Sequence, residues 1–147
     1  MKIALMPNLT RKNALSVSLD VCTQLDKLNA DYIVGTEQKE YFINTSARFL
    51  SKDEMIEECD VIIAVGGDGT IIHAAKAGKP ILGINAGRIA FMAGLEPTEL
   101  DMLKNLMMRC THGYQNYILS ERGTYEIKIS ANCEGNLLAF RVYCAGL

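Results

Sequence analysis

The pentapeptide Gly66-Gly67-Asp68-Gly69-Thr70 sets one carboxylate and one hydroxyl among three glycines, directly after the apolar run of residues 60–65. Glycines at 66 and 67 remove side chains, so backbone N–H groups can approach an anion. The N-terminus of a following helix adds partial positive charge at the same place, which suits a phosphate group. A carboxylate beside a phosphate is unfavourable on its own. Asp68 therefore points to a divalent cation or to a base that accepts a hydroxyl proton, and kinase chemistry uses both. The structural alternative is that Asp68-Gly69 forms a turn and Thr70 caps the next helix.

Such a loop needs a strand to end at it and a helix to leave from it. "DVIIAV" (60–65) is rich in β-branched residues and reads as a central parallel strand, and "TIIHAAKA" (70–77) reads as the helix, broken by Lys79-Pro80. "ILGIN" (81–85) is another buried strand that runs into a second loop, "AGRIAFMAG". The glycine-rich stretches 66–70 and 83–94 thus leave their strands at the carboxyl end, where ligands sit in an open parallel sheet.

Upstream, "KIALM" (2–6), closed by Pro7-Asn8, is a first strand. Thr10 is the expected cap of a helix extending to about Asn29, with Val17, Val21, Leu25 and Leu28 on one face. "DYIVG" (31–35) repeats the strand signal. Residues 36–52 have no clean period and are expected to hold loops or a short helix, after which Ser51 caps a brief helix through Cys59. Glu96-Pro97-Thr98 opens a further helix carrying Leu100, Leu103, Leu106 or Met107, and Cys110, with Gly113 as its stop. Beyond it the pattern changes: 124–130 alternates with period two, "NCEGN" resembles a turn, and 137–144 reads as the second strand of a hairpin. The expected fold is α/β, a doubly wound, mostly parallel sheet, followed by the first strands of an incomplete β-sandwich. Residues 1–100 form the α/β domain with the glycine loop, and 101–147 a connecting helix and the start of a β-rich domain.

Composition narrows the function classes. The 147 residues are 49% apolar, enough for a compact core. Fifteen basic against seventeen acidic residues give a net charge of −2 with no basic block, which argues against a nucleic-acid partner. The five cysteines are scattered, form no C-x-x-C pair and stand apart from His73 and His112, so neither a zinc site nor a disulfide framework is expected. The opening "MKIALMPN" fits neither a signal peptide nor a membrane span, and the compartment reads as reducing and cytoplasmic.

The string "GGDGT" is shared by a superfamily of NAD kinases, diacylglycerol and sphingosine kinases and, in variant form, phosphofructokinases. This chain resembles the NAD kinases most, through "GGDGTIIHAAK" (66–76), "PILGINAGRIAFMAGL" (80–95) and "ERGTYEIKI" (121–129). The resemblance covers most of residues 1–140. Lipid kinases usually continue the motif with Asn-Glu, lack the second block and need a hydrophobic substrate channel of which this sequence shows no sign. The resemblance implies phosphorylation of NAD to NADP by ATP with Mg²⁺ or another divalent cation. It implies Asp68 as the base acting on the 2′-hydroxyl of the adenosine ribose. It further implies Gly69, His73 and Phe91, with Asp68, against the dinucleotide, and Gly66, Gly67, Gly69 and Thr70 around phosphates. Phe91 matches the phenylalanine that lines the adenine pocket, where an aromatic face suits stacking.

Two departures matter. Ala90 stands where the family usually has glycine. After Ala139-Phe140, where NAD kinases place an Asn-Asp or Asn-Glu pair, this chain reads Arg141-Val142-Tyr143-Cys144 and stops at Leu147. The expectation is a shortened or altered NAD kinase chain with small-molecule partners NAD and ATP, no membrane partner, and unpaired β edges that favour a homo-oligomer. The alternative is a non-catalytic nucleotide-binding or assembly module.

Overall fold

Along β1 (Lys2–Pro7), Ile3 and Leu5 enter one apolar layer while Ala4 and Met6 enter another, so the strand is packed on both faces. The same alternation holds in β2 (Asp31–Gly35), where Tyr32 and Val34 oppose Ile33. In β4 (Val61–Gly66), Val61, Ile63 and Val65 oppose Ile62 and Ala64. Strands buried on both faces belong in a parallel sheet covered by helices on each side. The computed structural model describes residues 1–88 and 93–104 and the strands 117–120, 123–131 and 137–145.

The sheet order is β3-β2-β1-β4-β5-β6-β7-β8, with β3 at Arg48–Leu50, β5 at Ile81–Asn85, β6 at Tyr117–Ser120, β7 at Gly123–Ala131 and β8 at Leu137–Ala145. The pairings from β3 to β6 are parallel, and β6-β7 and β7-β8 are antiparallel. Helix α1 (Ala14–Lys27) buries Ala14, Val17, Val21, Cys22 and Leu25 on one face of the sheet, together with Phe42 of the short α2 (Lys39–Phe42) and Leu100 of a 3-10 helix at Pro97–Met102. Met55 of α3 (Lys52–Glu58) and Ile71, Ala74 and Ala75 of α4 (Asp68–Ala75) cover the other face. This is the doubly wound α/β arrangement, and the chain order reverses direction between β1 and β4. That reversal opens a crevice at the carboxyl ends of those two strands.

Local signals explain most boundaries. Ser51 caps α3 through a full capping box with Glu54, as the sequence implies. Asn29 adopts φ 50° just past α1, where its short polar side chain tolerates the left-handed conformation. One expectation is corrected and one is extended. Thr10 does not cap α1: Asn13 holds that position, and the Thr10 hydroxyl instead donates to Asn8 Oδ1 over 2.6 Å. The stretch 36–52 holds the expected short helix, as a 3-10 turn at Thr36–Gln38 running into α2, and also the strand β3, which an apolar-period reading misses because it is only three residues long. The helix opened by Glu96-Pro97-Thr98 begins as a 3-10 helix, and its expected continuation to Gly113 lies outside the described residues from 105 on.

Candidate active site

Helix α4 starts at Asp68, not at Thr70, with extended Gly67 (φ −111°, ψ −169°) as its N-cap. Asp68 and Gly69 are therefore the first turn of a helix rather than a separate turn, and Thr70 is not the cap. Four glycines here serve two purposes. A Cβ on Gly66 would overlap the Thr70 side chain, and one on Gly83 in β5 would overlap Ile71 and come within 3.3 Å of Ala93 Cα. Their absence lets α4 lie directly on β4 and β5. Gly67 and Gly69 are different: apart from chain neighbours and the helix's own backbone, nothing comes within 4 Å of a Cβ on Gly69, and beside Gly67 the nearest atom is an Arg11 guanidinium nitrogen at 3.9 Å.

Those two glycines present bare backbone. Thr70 N–H and Ile71 N–H donate to Gly67 O over 3.1 and 3.2 Å, while the N–H groups of Gly67 and Gly69 meet no acceptor among the described residues. First-turn donors of a helix have no intrahelical partner, and together with the helix dipole they favour an anion. Asp68, half-buried at the head of α4, sits where the same dipole favours a carboxylate.

A cleft of about 280 Å³ opens beside this turn, lined by Met6, Pro7, Asn8, Gly69, Thr70 and His73. Its other wall is the end of β1, which sequence reading did not single out. Asn8 N–H continues the β1–β4 ladder to Val65 O at 2.9 Å, and its side-chain amide donates to Thr70 Oγ1 at 3.2 Å. Asn8 Oδ1 accepts from Thr10 N–H at 3.2 Å as well as from the Thr10 hydroxyl. Exposed His73 lies with Nε2 3.2 Å from Lys52 Nζ. An ammonium only donates, so Nε2 accepts and the imidazole is neutral. Partial desolvation, followed by the charges of Lys52 and Lys76, holds His73 below its ordinary pKa.

The second loop is closed by a buried polar residue. Asn85 Nδ2 donates to both Glu96 carboxylate oxygens, at 3.2 and 2.9 Å, and Asn85 Oδ1 accepts from Gly87 N–H at 2.9 Å. Ala86 N–H donates to Gly66 O at 2.9 Å, joining the two loops. Gly69, Thr70 and His73 thus line one cleft, with Asp68 beside Gly69 in the first turn of α4 and Gly66 packed against Thr70. Phe91 lies outside the described residues. Among the described residues no group of three or more His, Cys, Asp or Glu side chains converges.

The doubly wound sheet carries a glycine-framed aspartate at its switch point, where open α/β sheets bind their ligands. The chain belongs to the family described as the ATP-NAD kinase N-terminal domain, which matches residues 5–113. It is 33% identical over 103 residues to the NAD kinase of Saccharophagus degradans, covering 67% of this chain and 35% of that protein. It is 31% identical over 166 aligned positions to the NAD kinase of Pyrococcus abyssi, covering 99% of this chain and 57% of that one. Among solved structures it is similar in fold to yeast NADH kinase complexed with NADH, with a TM-score of 0.67 at 12% identity, covering 97% of this chain and 46% of that chain. The chain spans about a third to somewhat over half the length of these relatives.

Proposed function

We propose that this chain carries the catalytic centre of an NAD kinase, which transfers the γ-phosphoryl group of ATP to the 2′-hydroxyl of the adenosine ribose of NAD. The observation that carries the reading is Asp68 at the head of α4, between two glycines whose N–H groups meet no acceptor among the described residues, at the carboxyl ends of β1 and β4. Asp68 takes the proton of the 2′-hydroxyl as its oxygen attacks the γ-phosphorus, and ADP leaves. Gly66, Gly67, Gly69 and Thr70 shape the phosphate end of the site. Gly69 and His73 face the dinucleotide, with Phe91 against adenine. Residues 101–147 form a connecting helix and the start of a β-rich domain in this reading.

Mg²⁺ is held through one or two carboxylates plus substrate phosphates and water rather than by an all-protein cage. Asp68 beside a phosphate site fits that donor set, and the ion would enter with ATP and neutralise charge on its phosphates. We also propose a cytoplasmic homo-oligomer, a compartment in keeping with the free, buried thiols of Cys22 and Cys59. No helix among the described residues is long and apolar enough to cross a membrane.

The test is NADP formation from ATP, Mg²⁺ and NAD, read through an NADP-specific dehydrogenase. Asp68→Asn should lower kcat by about 10²–10⁴-fold, the usual share of a general base. Nucleotide binding without turnover in the unaltered chain would instead support a binding module.

A further inference from the structure

We propose that Arg11 is the cationic arm that holds the phosphate chain of the ATP donor against Gly67, and that Asn8 is the residue that aims it. This assignment rests on the kinase reading above. Arg11 lies in the loop from β1 to α1, 56 residues from Gly67 in sequence, yet its guanidinium is the nearest group to the space a Gly67 side chain would fill, at 3.9 Å. Among the described residues that guanidinium makes no hydrogen bond or ion pair. A planar guanidinium with its donors unspent is the side chain best matched to phosphate oxygens, which it takes two at a time.

The neighbouring backbone points to the same ligand. Gly67 is buried, and its N–H has no acceptor among the described residues, which leaves that donor open to an anion. The Gly69 N–H lies one residue past Asp68. Guanidinium and bare amides together form a cradle for an anion at the mouth of the strand-order reversal.

The backbone that carries the arm is held in place. Arg11 N–H donates to Asn8 O at 3.0 Å, and Arg11 O accepts from Ala14 N–H at 3.1 Å, so the residue is fixed between the end of β1 and the start of α1. Asn8 is tied in turn to Val65 O and Thr70 Oγ1, the two sides of the glycine loop. Arg11 does not line the cleft of Gly69 and His73. With the dinucleotide in that cleft, the arm is left for the donor, whose triphosphate also carries more charge than the pyrophosphate of NAD.

Isothermal titration of the full chain with inorganic tripolyphosphate and, separately, with NAD tests the assignment in unaltered, Arg11→Ala and Arg11→Lys proteins. Arg11 is exposed, so folding is not at stake. Arg11→Ala should weaken tripolyphosphate binding by about 10- to 100-fold, the loss expected of charge-assisted hydrogen bonds, and leave NAD binding unchanged. Arg11→Lys should recover part of it. Equal tripolyphosphate affinity in Arg11→Ala, no tripolyphosphate binding by the unaltered chain, or a loss confined to NAD would each overturn the assignment. Arg11-dependent tripolyphosphate binding without NADP formation would remove the kinase reading and keep the anion arm. NADP formation with an ATP KM unchanged in Arg11→Ala would do the reverse.

Discussion

Asn8 and Thr70 stand 62 residues apart in sequence, and the Asn8 amide donates to the Thr70 hydroxyl over 3.2 Å. That bond fastens the end of β1 to the first turn of α4, across the seam where the sheet changes direction. With the two bonds that Asn8 Oδ1 accepts from Thr10, the side chain makes three hydrogen bonds. Asn8→Ala should lower stability by about 1–3 kcal/mol, since a net hydrogen bond contributes about 0.5–1.5 kcal/mol and some groups left behind recover water. Asn8→Asp keeps the acceptor for Thr10 and loses the donor to Thr70, so it should fall between. Urea unfolding midpoints measure both, and an Asn8→Ala midpoint equal to the unaltered protein's would refute the tie.

Gly66 and Thr70 should behave as one unit. A Cβ at 66 meets Thr70 Cβ at 2.8 Å and its Oγ1 more closely still, so Gly66→Ala forces the first turn of α4 off β4. Overpacking of this kind costs about 1–3 kcal/mol. Thr70→Ala removes Oγ1 and Cγ2, the hydroxyl making the closest overlap, but keeps the Cβ at 2.8 Å; the clash is relieved in part, so the double variant should lose less than the sum of the single variants, with a coupling of about 0.5–3 kcal/mol. Strict additivity in denaturant titrations would show that the close approach is not what Gly66 provides.

The sequence makes β1, β2, β4, β5 and α1 legible because each is a sustained apolar run or a clear helical stripe, signals that depend on neighbours along the chain. The start of α4 is displaced by two residues because Asp-Gly carries the signature of a turn, whereas here extended Gly67 lets the helix begin at Asp68. The glycine motif and Asp68 are visible as residue types at a spacing. Asn8 and Arg11 are not, since their place at the site follows from β1 lying beside β4, a fact of strand order. The signal available was the loop after the first strand, which a doubly wound sheet directs to its switch point. The bond from Asn85 to Glu96 is hidden for a similar reason: it exists only once the second loop has folded back to bring Leu95 beside Ile84.

Cys22 should be inert in the folded protein. It is 1% exposed, and burial pushes its thiol up to about 11, with the Asp26 charge adding to the shift and a hydrogen bond to Tyr32 opposing it. At pH 8 only on the order of a thousandth of such a thiol is thiolate, the reactive form. Cys59, fully buried, is also raised by desolvation, although the Lys79 charge works the other way. Iodoacetamide labelling mapped by mass spectrometry should modify both at least ~100-fold more slowly in native protein than in urea. Comparable rates in the two conditions would contradict the packing of α1 on the sheet.

His73 should make the protein lose stability as pH falls below its ordinary pKa of 6.5. Partial burial and the charges of Lys52 and Lys76 disfavour the imidazolium in the folded chain, and Lys52 Nζ stands 3.2 Å from Nε2. The folded pKa is therefore the lower one, and between it and 6.5 the unfolded chain binds more protons. Stability rises with pH through that window and is independent of this residue above it. Glu54, lowered by its bonds to Ser51, and Glu58, lowered chiefly by Arg48, also lose stability toward acid, but below 4.5 and equally in any His73 variant. His73→Gln supplies a side-chain oxygen for Lys52 without a titration. The difference in unfolding midpoint between the unaltered protein and His73→Gln should thus be constant near pH 7.5 and shift against the unaltered protein from about pH 6.5 to 5. Parallel curves across that range would mean that His73 does not hold its lysine-facing, neutral form in solution.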